Sequence, residues 1–336
     1  MFYKAAIGIL ERLAKENPKA YEPDLATSYD NFASLYGKIQ HHEESEKMFK
    51  SAIDIRERLV KENPKAYEAD LADSYNNLAS LYNEIQHFDE SENLYKAAIE
   101  IQERLVKENP KAYEPDLAMS YNNLASLYDK IQRHEESEKM LKSAIEIRER
   151  LIKENPKVYE PDLAISYYSL AILYFKTQCF NESEMLCKAA IEIQERLVKD
   201  NPKVYEPDLA MSYKNLAMLY IEIQRYDESV KMYKAAIEIR ERLAKEYPKV
   251  YEPDLADSYY YNLAVLYYEI QRFDESEKMY KAAIEIQERL VKENPKAYEQ
   301  DLADSYNNLA NLYKKTQRFD ESEKMYKAAK RHKNND

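Results

Sequence analysis

The 336-residue sequence has two glycines, no tryptophan and only two cysteines. Each shortage excludes something. The turns, bulges and phosphate loops of ordinary α/β and all-β domains rest on residues that take positive φ at little cost, glycine above all. Two glycines over this length exclude a dinucleotide-binding α/β fold, a P-loop and a β-sandwich. Cys179 and Cys187 lie in one short stretch, which is no disulfide framework and fits a reducing compartment. No run of about 18 apolar residues exists to span a bilayer. The opening MFYKAAIGILERLAKENP lacks the basic region and small-residue cleavage site of a signal peptide, so the cytoplasm is the expected location. Lys+Arg 50 against Asp+Glu 62 leaves a net charge of −12, and neither nucleic acid nor a membrane is an expected partner.

What is present repeats. An NPK-like proline recurs at Pro18, Pro64, Pro110, Pro156, Pro202, Pro248 and Pro295, at intervals of 46 residues and once of 47. The longer interval comes from one extra residue in Asp257–Ala264, DSYYYNLA, where other copies read DSYNNLA. The remaining prolines, Pro23, Pro115, Pro161, Pro207 and Pro253, stand in the same segment, so proline draws the helix boundaries. In the third copy Leu117, Tyr121, Leu124, Leu127, Tyr128 and Ile131 recur at spacings of three and four, the apolar stripe of a helix of about four turns. This helix A is expected to open at Pro115. A polar break at residues 132–135 leads into helix B, with Met140, Leu141, Ala144, Ile145, Ile147 and Leu151 on its stripe. Asp89, Asp227, Asp274 and Asp320 stand where they could cap helix B in their copies.

One such pair cannot bury its apolar faces alone, whereas stacked pairs share a continuous core. A single repeat domain over residues 1–336 is therefore expected. It begins with a half repeat, helix B alone, over 1–21, and seven repeats start near 22, 68, 114, 160, 206, 252 and 299. The start in mid-repeat reads as a piece of a longer array. At the other end Lys330 stands where Ile284 stands one repeat earlier, so the apolar stripe stops.

The pattern Y-x-N-L-A-x-L-Y, a short turn, then F/Y-x-E-S-E-x-x-Y-x-x-A-I-x-I resembles the tetratricopeptide repeat over essentially the whole chain. That family has a period of roughly 34 residues. The longer period here, with its NNLA and ERL segments, looks most like the arrays of kinesin light chains. Two departures stand out. Gln40, Gln86 and Gln132 occupy the A–B turn where the family often has glycine, and Ser45, Ser91 and Ser137 replace an early alanine of helix B. The resemblance implies an all-α, right-handed α-solenoid (superhelix) of tandem helix-turn-helix tetratricopeptide-like repeats. It also implies a non-enzymatic scaffold that holds a peptide or partner protein in a concave groove lined by helices A.

The groove residues would then lie opposite the core stripe: Met119, Asn122, Asn123, Ser126, Asp129 and Lys130 in the third copy. Across the copies an asparagine ladder appears at Asn31, Asn77, Asn123, Asn215, Asn262 and Asn308, interrupted by Ser169. Amides can bond the backbone of an extended peptide, or bond the next repeat and fix its stacking. The neighbouring row is polar in copies 1, 2 and 7. It turns apolar at Ile165, Tyr168, Ile172 and Phe175, at Met211, Lys214, Met218 and Ile221, and at Tyr261, Val265 and Tyr268. Polar residues serve at these positions elsewhere, so they are read as spare from the core. An apolar patch marks an interaction site, and copies 4 to 6 are the expected binding segment. Lys176 and Lys214 beside it would suit a hydrophobic anchor with acidic flanks.

The alternatives are a self-associating superhelical rod joined end to end, or the sensor arm of a larger signalling protein. His41, His42, His87 and His134 stand in the turns of the first three copies, without the convergence a metal site needs. No catalytic constellation stands apart from the repeat, and no cofactor or metal is expected. Leu263, Leu266 and Tyr267 keep the core pattern beyond the extra tyrosine. The helix must therefore absorb the insertion, as a single-turn π-bulge near Tyr260.

Overall fold

The computed structural model describes residues 2–333, and every element among them is helical. The first residue of the expected half repeat and the last three of the chain lie outside that range. A leading helix B, α1 (Phe2–Glu16), is followed by alternating helices A and B. Repeat 1 is α2 (Pro18–Lys38) and α3 (His42–Glu62), and repeat 2 is α4 (Pro64–Glu84) and α5 (Phe88–Glu108). Repeat 3 is α6 (Pro110–Lys130) and α7 (His134–Glu154), and repeat 4 is α8 (Pro156–Lys176) and α9 (Phe180–Asp200). Repeat 5 is α10 (Pro202–Glu222) and α11 (Tyr226–Glu246). In repeat 6, helix A runs through α12 (Pro248–Asp257), a π-helical segment Ser258–Ala264 and α13 (Val265–Glu269), before α14 (Phe273–Glu293). Repeat 7 is α15 (Pro295–Lys315) and α16 (Phe319–Lys333). The one-residue insertion is thus absorbed as a π-helix around Tyr260, and Leu263, Leu266 and Tyr267 stay buried.

Helix A opens at the first proline of the segment, four to five residues before the expected start. A proline at N1 lacks only a donor that no helix uses there, and its fixed φ suits the first turn. Pro115 and its equivalents lie inside the helix, five residues on. The carbonyl that such a proline leaves without a donor belongs to the exposed first turn, where water reaches it. With this start the regular helices A and B are 21 residues long, about six turns rather than four. Asp89, Asp227 and Asp274 do not cap helix B. They sit inside its first turn, the N-cap positions are His87, Arg225 and Arg272, and no side chain caps any of the three. The carboxylates act on the helix dipole instead.

The connections are short and fixed. Helix B passes to helix A through a single residue such as Asn63, held extended (φ −147°) by the proline that follows. Helix A passes to helix B through a Schellman motif: His41 N–H donates to the Tyr36 carbonyl at 2.9 Å, and Gln40 N–H to Gly37 at 2.9 Å. The left-handed residue that this motif requires is glutamine in all seven turns, with φ from 59° at Gln40 to 64° at Gln86. Neither glycine has positive φ. The serine that replaces the family's alanine has a task as well. Ser45, Ser91, Ser229 and Ser276 each donate to a helix A carbonyl twelve residues back, at 2.7–2.8 Å.

The chain divides into two compact units, the first ending at Leu173 and the second beginning at Tyr174. In the first, Phe49, Ile53, Leu71, Leu78 and Leu81 are buried in one cluster, and Leu117, Leu124, Leu127, Ile147 and Leu151 in another. Ala26, Ala33, Ala52 and Ala98 are fully buried, where a larger side chain would hold the helices apart. In the second, Val230, Tyr233, Leu263, Leu266 and Tyr267 pack together, and so do Tyr260, Tyr280, Leu302, Leu309 and Leu312.

Polar bonds recur at the repeat junctions. Tyr29, Tyr75, Tyr121 and Tyr167 each donate to a glutamate eighteen residues back on the preceding helix B, at 2.6–2.8 Å. Tyr82, Tyr128, Tyr220 and Tyr313 donate to glutamates thirty-six residues back. These eight junction bonds give a quarter of the 32 tyrosines a task between repeats.

Candidate functional site

Within each unit, neighbouring helices A come close enough to leave a cavity above the helix B between them. In the first unit, α2 and α4 touch, as do α4 and α6. The cavity over repeats 1 and 2, about 400 Å³, is lined by Ser34, Gly37, Lys38, Phe49, Asn77, Ser80 and Glu84 among others. The same place over repeats 3 and 4 shrinks to about 130 Å³, where Asp129, Leu141, Ser169 and Ile172 stand. In the second unit, over repeats 6 and 7, it widens to about 620 Å³ between Val265, Tyr268, Glu269, Tyr280, Asn308, Asn311, Lys314, Lys315 and Gln317. The three cavities occupy equivalent positions. In each, the ladder position forms part of the wall, as Asn77, as the interrupting Ser169 or as Asn308.

The ladder and its neighbour divide the work. Asn76 and Asn122, one residue before the ladder, donate from Nδ2 to Ser120 and Ser166 of the next helix A at 2.7 and 3.1 Å. Asn76 is buried. Stacking in these repeats therefore falls to the residue before the ladder, and the side chains of Asn31, Asn77, Asn123 and Asn262 make no hydrogen bond among the described residues. Asn308 behaves differently: its Nδ2 donates to Tyr260 Oη, so in repeat 7 the ladder residue does bond its neighbour.

The apolar row is likewise split. Ile165, Met211 and Met218 are exposed at 49%, 41% and 40%, and Tyr261 at 52%. Tyr168, Ile172, Phe175, Lys214 and Asn215 are half-buried. Ile221, Val265 and Tyr268 pack against the buried clusters of the second unit, so these three are not spare from the core as their polar equivalents had implied. For Val265 and Tyr268 the reason is local, since the cavity they line with Tyr280 lies over a buried cluster, whereas Ile221 packs against the cluster of Val230 and Tyr233. Ile165, Tyr168 and Ile172 belong to the first unit, and the other apolar positions to the second.

Asp30, the first-copy equivalent of Asn122 in the polar row, leaves the groove. It is buried, and its Oδ2 pairs with Arg56 Nη1 while accepting from Ser74 Oγ at 2.8 Å. Sequence spacing could not show this, because Arg56 comes from the following helix. Carboxyls gather nearby. Desolvation by the surrounding chain raises Asp73 to about 6, and Asp116 and Asp70 add to the shift. In the second unit burial raises Asp257 and Asp301, while Lys214 draws Asp257 down. Lys314 and Lys315 stand at the cavity.

Cys187 is buried, and burial pushes its thiol up to about 11, away from a reactive thiolate. Among the described residues, no group of three His, Cys, Asp or Glu side chains could hold a metal ion, and no helix is long and apolar enough to cross a membrane.

No curated protein sequence matches the chain. Among solved structures, BtubC (BKLC) from P. vanneervenii is 24% identical with a TM-score of 0.55, the match covering 73% of this chain and 91% of that one. A putative kinesin light chain of Podosopora anserina with nearly identical repeats is 18% identical with a TM-score of 0.54, covering 66% and 98%. A Signal Transduction ATPase with Numerous Domains from Pyrococcus horikoshii, which has a tetratricopeptide repeat sensor, is 15% identical with a TM-score of 0.64, covering 97% of this chain and 46% of that one. The profile of the tetratricopeptide repeat matches residues 25–64, 70–150, 162–242 and 254–334. The chain belongs to the tetratricopeptide repeat family, in a long-period form that resembles the repeats of kinesin light chains.

Proposed function

We propose that the protein is a non-enzymatic interaction scaffold that holds an extended segment of a partner protein against the asparagine-bearing faces of its helices A. One observation carries this reading. An equivalent cavity recurs along the array with the ladder position in its wall, and beside Asn77 the stacking bond is made by Asn76 instead. Amides left in that position can meet the main chain of an extended ligand whatever its sequence. The cavities then supply selectivity. The largest has an aromatic floor at Tyr268 and Tyr280 and two lysines, Lys314 and Lys315, against one glutamate, Glu269. It suits a bulky apolar side chain next to an acidic residue. Met211, Met218 and Tyr261 in the second unit, and Ile165 and Ile172 in the first, offer further apolar contact.

An array of ten-residue peptides, incubated with the full chain, tests the reading. Peptides that pair an apolar residue with an acidic one are expected to be retained. Asn77→Ala, Met218→Ser and Tyr261→Ser should each weaken capture about tenfold or more, a loss of about 1.4 kcal/mol, with the helical circular dichroism unchanged. Capture that survives all three changes would sink the proposal.

A second reading, the sensor arm of a larger signalling protein, draws on one comparison. The match covers nearly all of this chain but less than half of the signalling ATPase from Pyrococcus horikoshii, which has a tetratricopeptide repeat sensor. Both readings use the same groove. They differ in whether the ligand must alter a neighbouring domain, which activity measured on the complete gene product with and without a captured peptide would decide.

A further inference from the structure

Three turns place an arginine in one constellation. Arg133 donates from Nη1 to both oxygens of Glu92, on the helix B of the preceding repeat, at 2.9 and 2.8 Å. Its guanidinium lies 4.3 Å from the ring centre of Tyr128, whose Oη donates to the same Glu92 at 3.0 Å. Arg225 repeats this on Glu184 and Tyr220, and Arg318 on Glu277 and Tyr313. Each arginine ties the turn of one repeat to the repeat before it. Where repeat 1 meets repeat 2, the acceptors of the constellation are already in place. Tyr82 Oη donates to Glu46 at 2.9 Å, and Lys50 pairs with Glu46 at 2.6 Å. The cation's position, however, is occupied by His87, whose ring stacks on Tyr82 at 5.6 Å and 25°.

We propose that this junction is proton-gated: the imidazolium of His87 takes the part that a guanidinium plays at three other junctions and ties the α4–α5 turn to Glu46, and its neutral form releases the tie. Histidine is the one ordinary side chain that changes charge between about pH 5 and 8. The charged and titratable groups around it are Glu46 and Lys50 from α3 and Tyr82 from α4, with Lys50 Nζ 5.9 Å from the Tyr82 ring centre. The Glu46 carboxyl is held below its usual range by Lys50 first, with Tyr82 and the charge of His87 contributing. The first turn offers no parallel. His41 stacks on Tyr36 in the same way, but its carboxylate partner is Glu44 in the first turn of α3, 3.7 Å away.

Amide hydrogen exchange of the full chain, corrected for intrinsic rates, is the test. On going from pH 7.5 to 5.5, protection at the α3–α4 junction and the start of α5 should rise about two- to fivefold in the wild type, the range expected of an exposed pair. His87→Arg should be protected at both pH values, and Glu46→Gln at neither. The remaining histidines are common to all three proteins and cancel in the comparison. An equal pH response in wild type and His87→Arg, or a response that persists in Glu46→Gln, overturns the proposal.

Discussion

The hydroxyl of Ser137, at the start of helix B in repeat 3, donates a 2.9 Å hydrogen bond to the carbonyl of Ala125, on the neighbouring helix A. Both residues are buried, and the bond crosses the packed face between the two helices. Ser137→Ala should cost about 1 kcal/mol, read as a lower urea midpoint, because the carbonyl keeps its own helical donor and loses only the second bond. Combining it with Ser45→Ala, two repeats away, should give a nearly additive loss. An alanine variant as stable as the wild type would show that the hydroxyl contributes nothing.

Gln132 holds φ at 61° in the turn between the same two helices. A side chain with a Cβ is strained there by about 1–2 kcal/mol, and glycine is not. Glycine gives part of that back through its freer unfolded chain, so Gln132→Gly should raise stability by about 0.5–1 kcal/mol. Gln132→Ala, which keeps the strain, should not. Thermal melts of both variants check the difference.

Asp73 carries a pH dependence of its own. The residue is exposed at the surface, yet desolvation by the surrounding chain and the charges of Asp116 and Asp70 lift its carboxyl from the ordinary 3.8 to about 6. The folded protein therefore holds this proton more tightly than the unfolded chain does. Its contribution to stability is complete below pH 3.8 and is lost as the pH rises through 6. Asp73→Asn should therefore be more stable than the wild type at pH 7, with the gap closing as the pH falls from 6 to 4. Denaturant unfolding at several pH values gives the profile, and a gap that widens on acidification would contradict this origin of the shift.

Local pattern was legible where one residue type answers one demand. Leu117, Leu124 and Leu127, spaced by three or more residues along one face, are all buried, and the extra tyrosine produces the π-helix that its surroundings required. Two prolines five residues apart gave no such guidance, since either can start a helix. The turn glutamines were opaque for a related reason: glutamine carries no turn signature, and the Schellman geometry imposes its left-handed φ from outside. At the candidate groove, the stretch over repeats 4 to 6 was readable as apolar. Its division between exposed Met211 and core-packed Ile221 depends on helix phase and on a neighbouring repeat. Asp30 shows the limit most plainly, because a partner 26 residues away turns a groove position into a buried one.

That partner belongs to a buried position on helix B that alternates along the chain: Arg56, Gln102, Arg148, Gln194, Arg240 and Gln287. The same substitution should therefore have unequal effects. Arg56→Gln leaves the Asp30 carboxylate buried without its cation, which should cost about 3 kcal/mol or more. Adding Asp30→Asn removes the orphaned charge and should restore most of the loss. Arg148 is as deeply buried, but it meets Ser166 Oγ and the Asp162 carbonyl, which it contacts at 3.0 Å, and its equivalent of Asp30 is Asn122. Arg148→Gln copies what repeats 2, 4 and 6 already contain and should cost only about 1 kcal/mol. Equal losses of urea midpoint at the two sites would show that the arginine side chain itself, and not the charge it compensates, is what the junction needs.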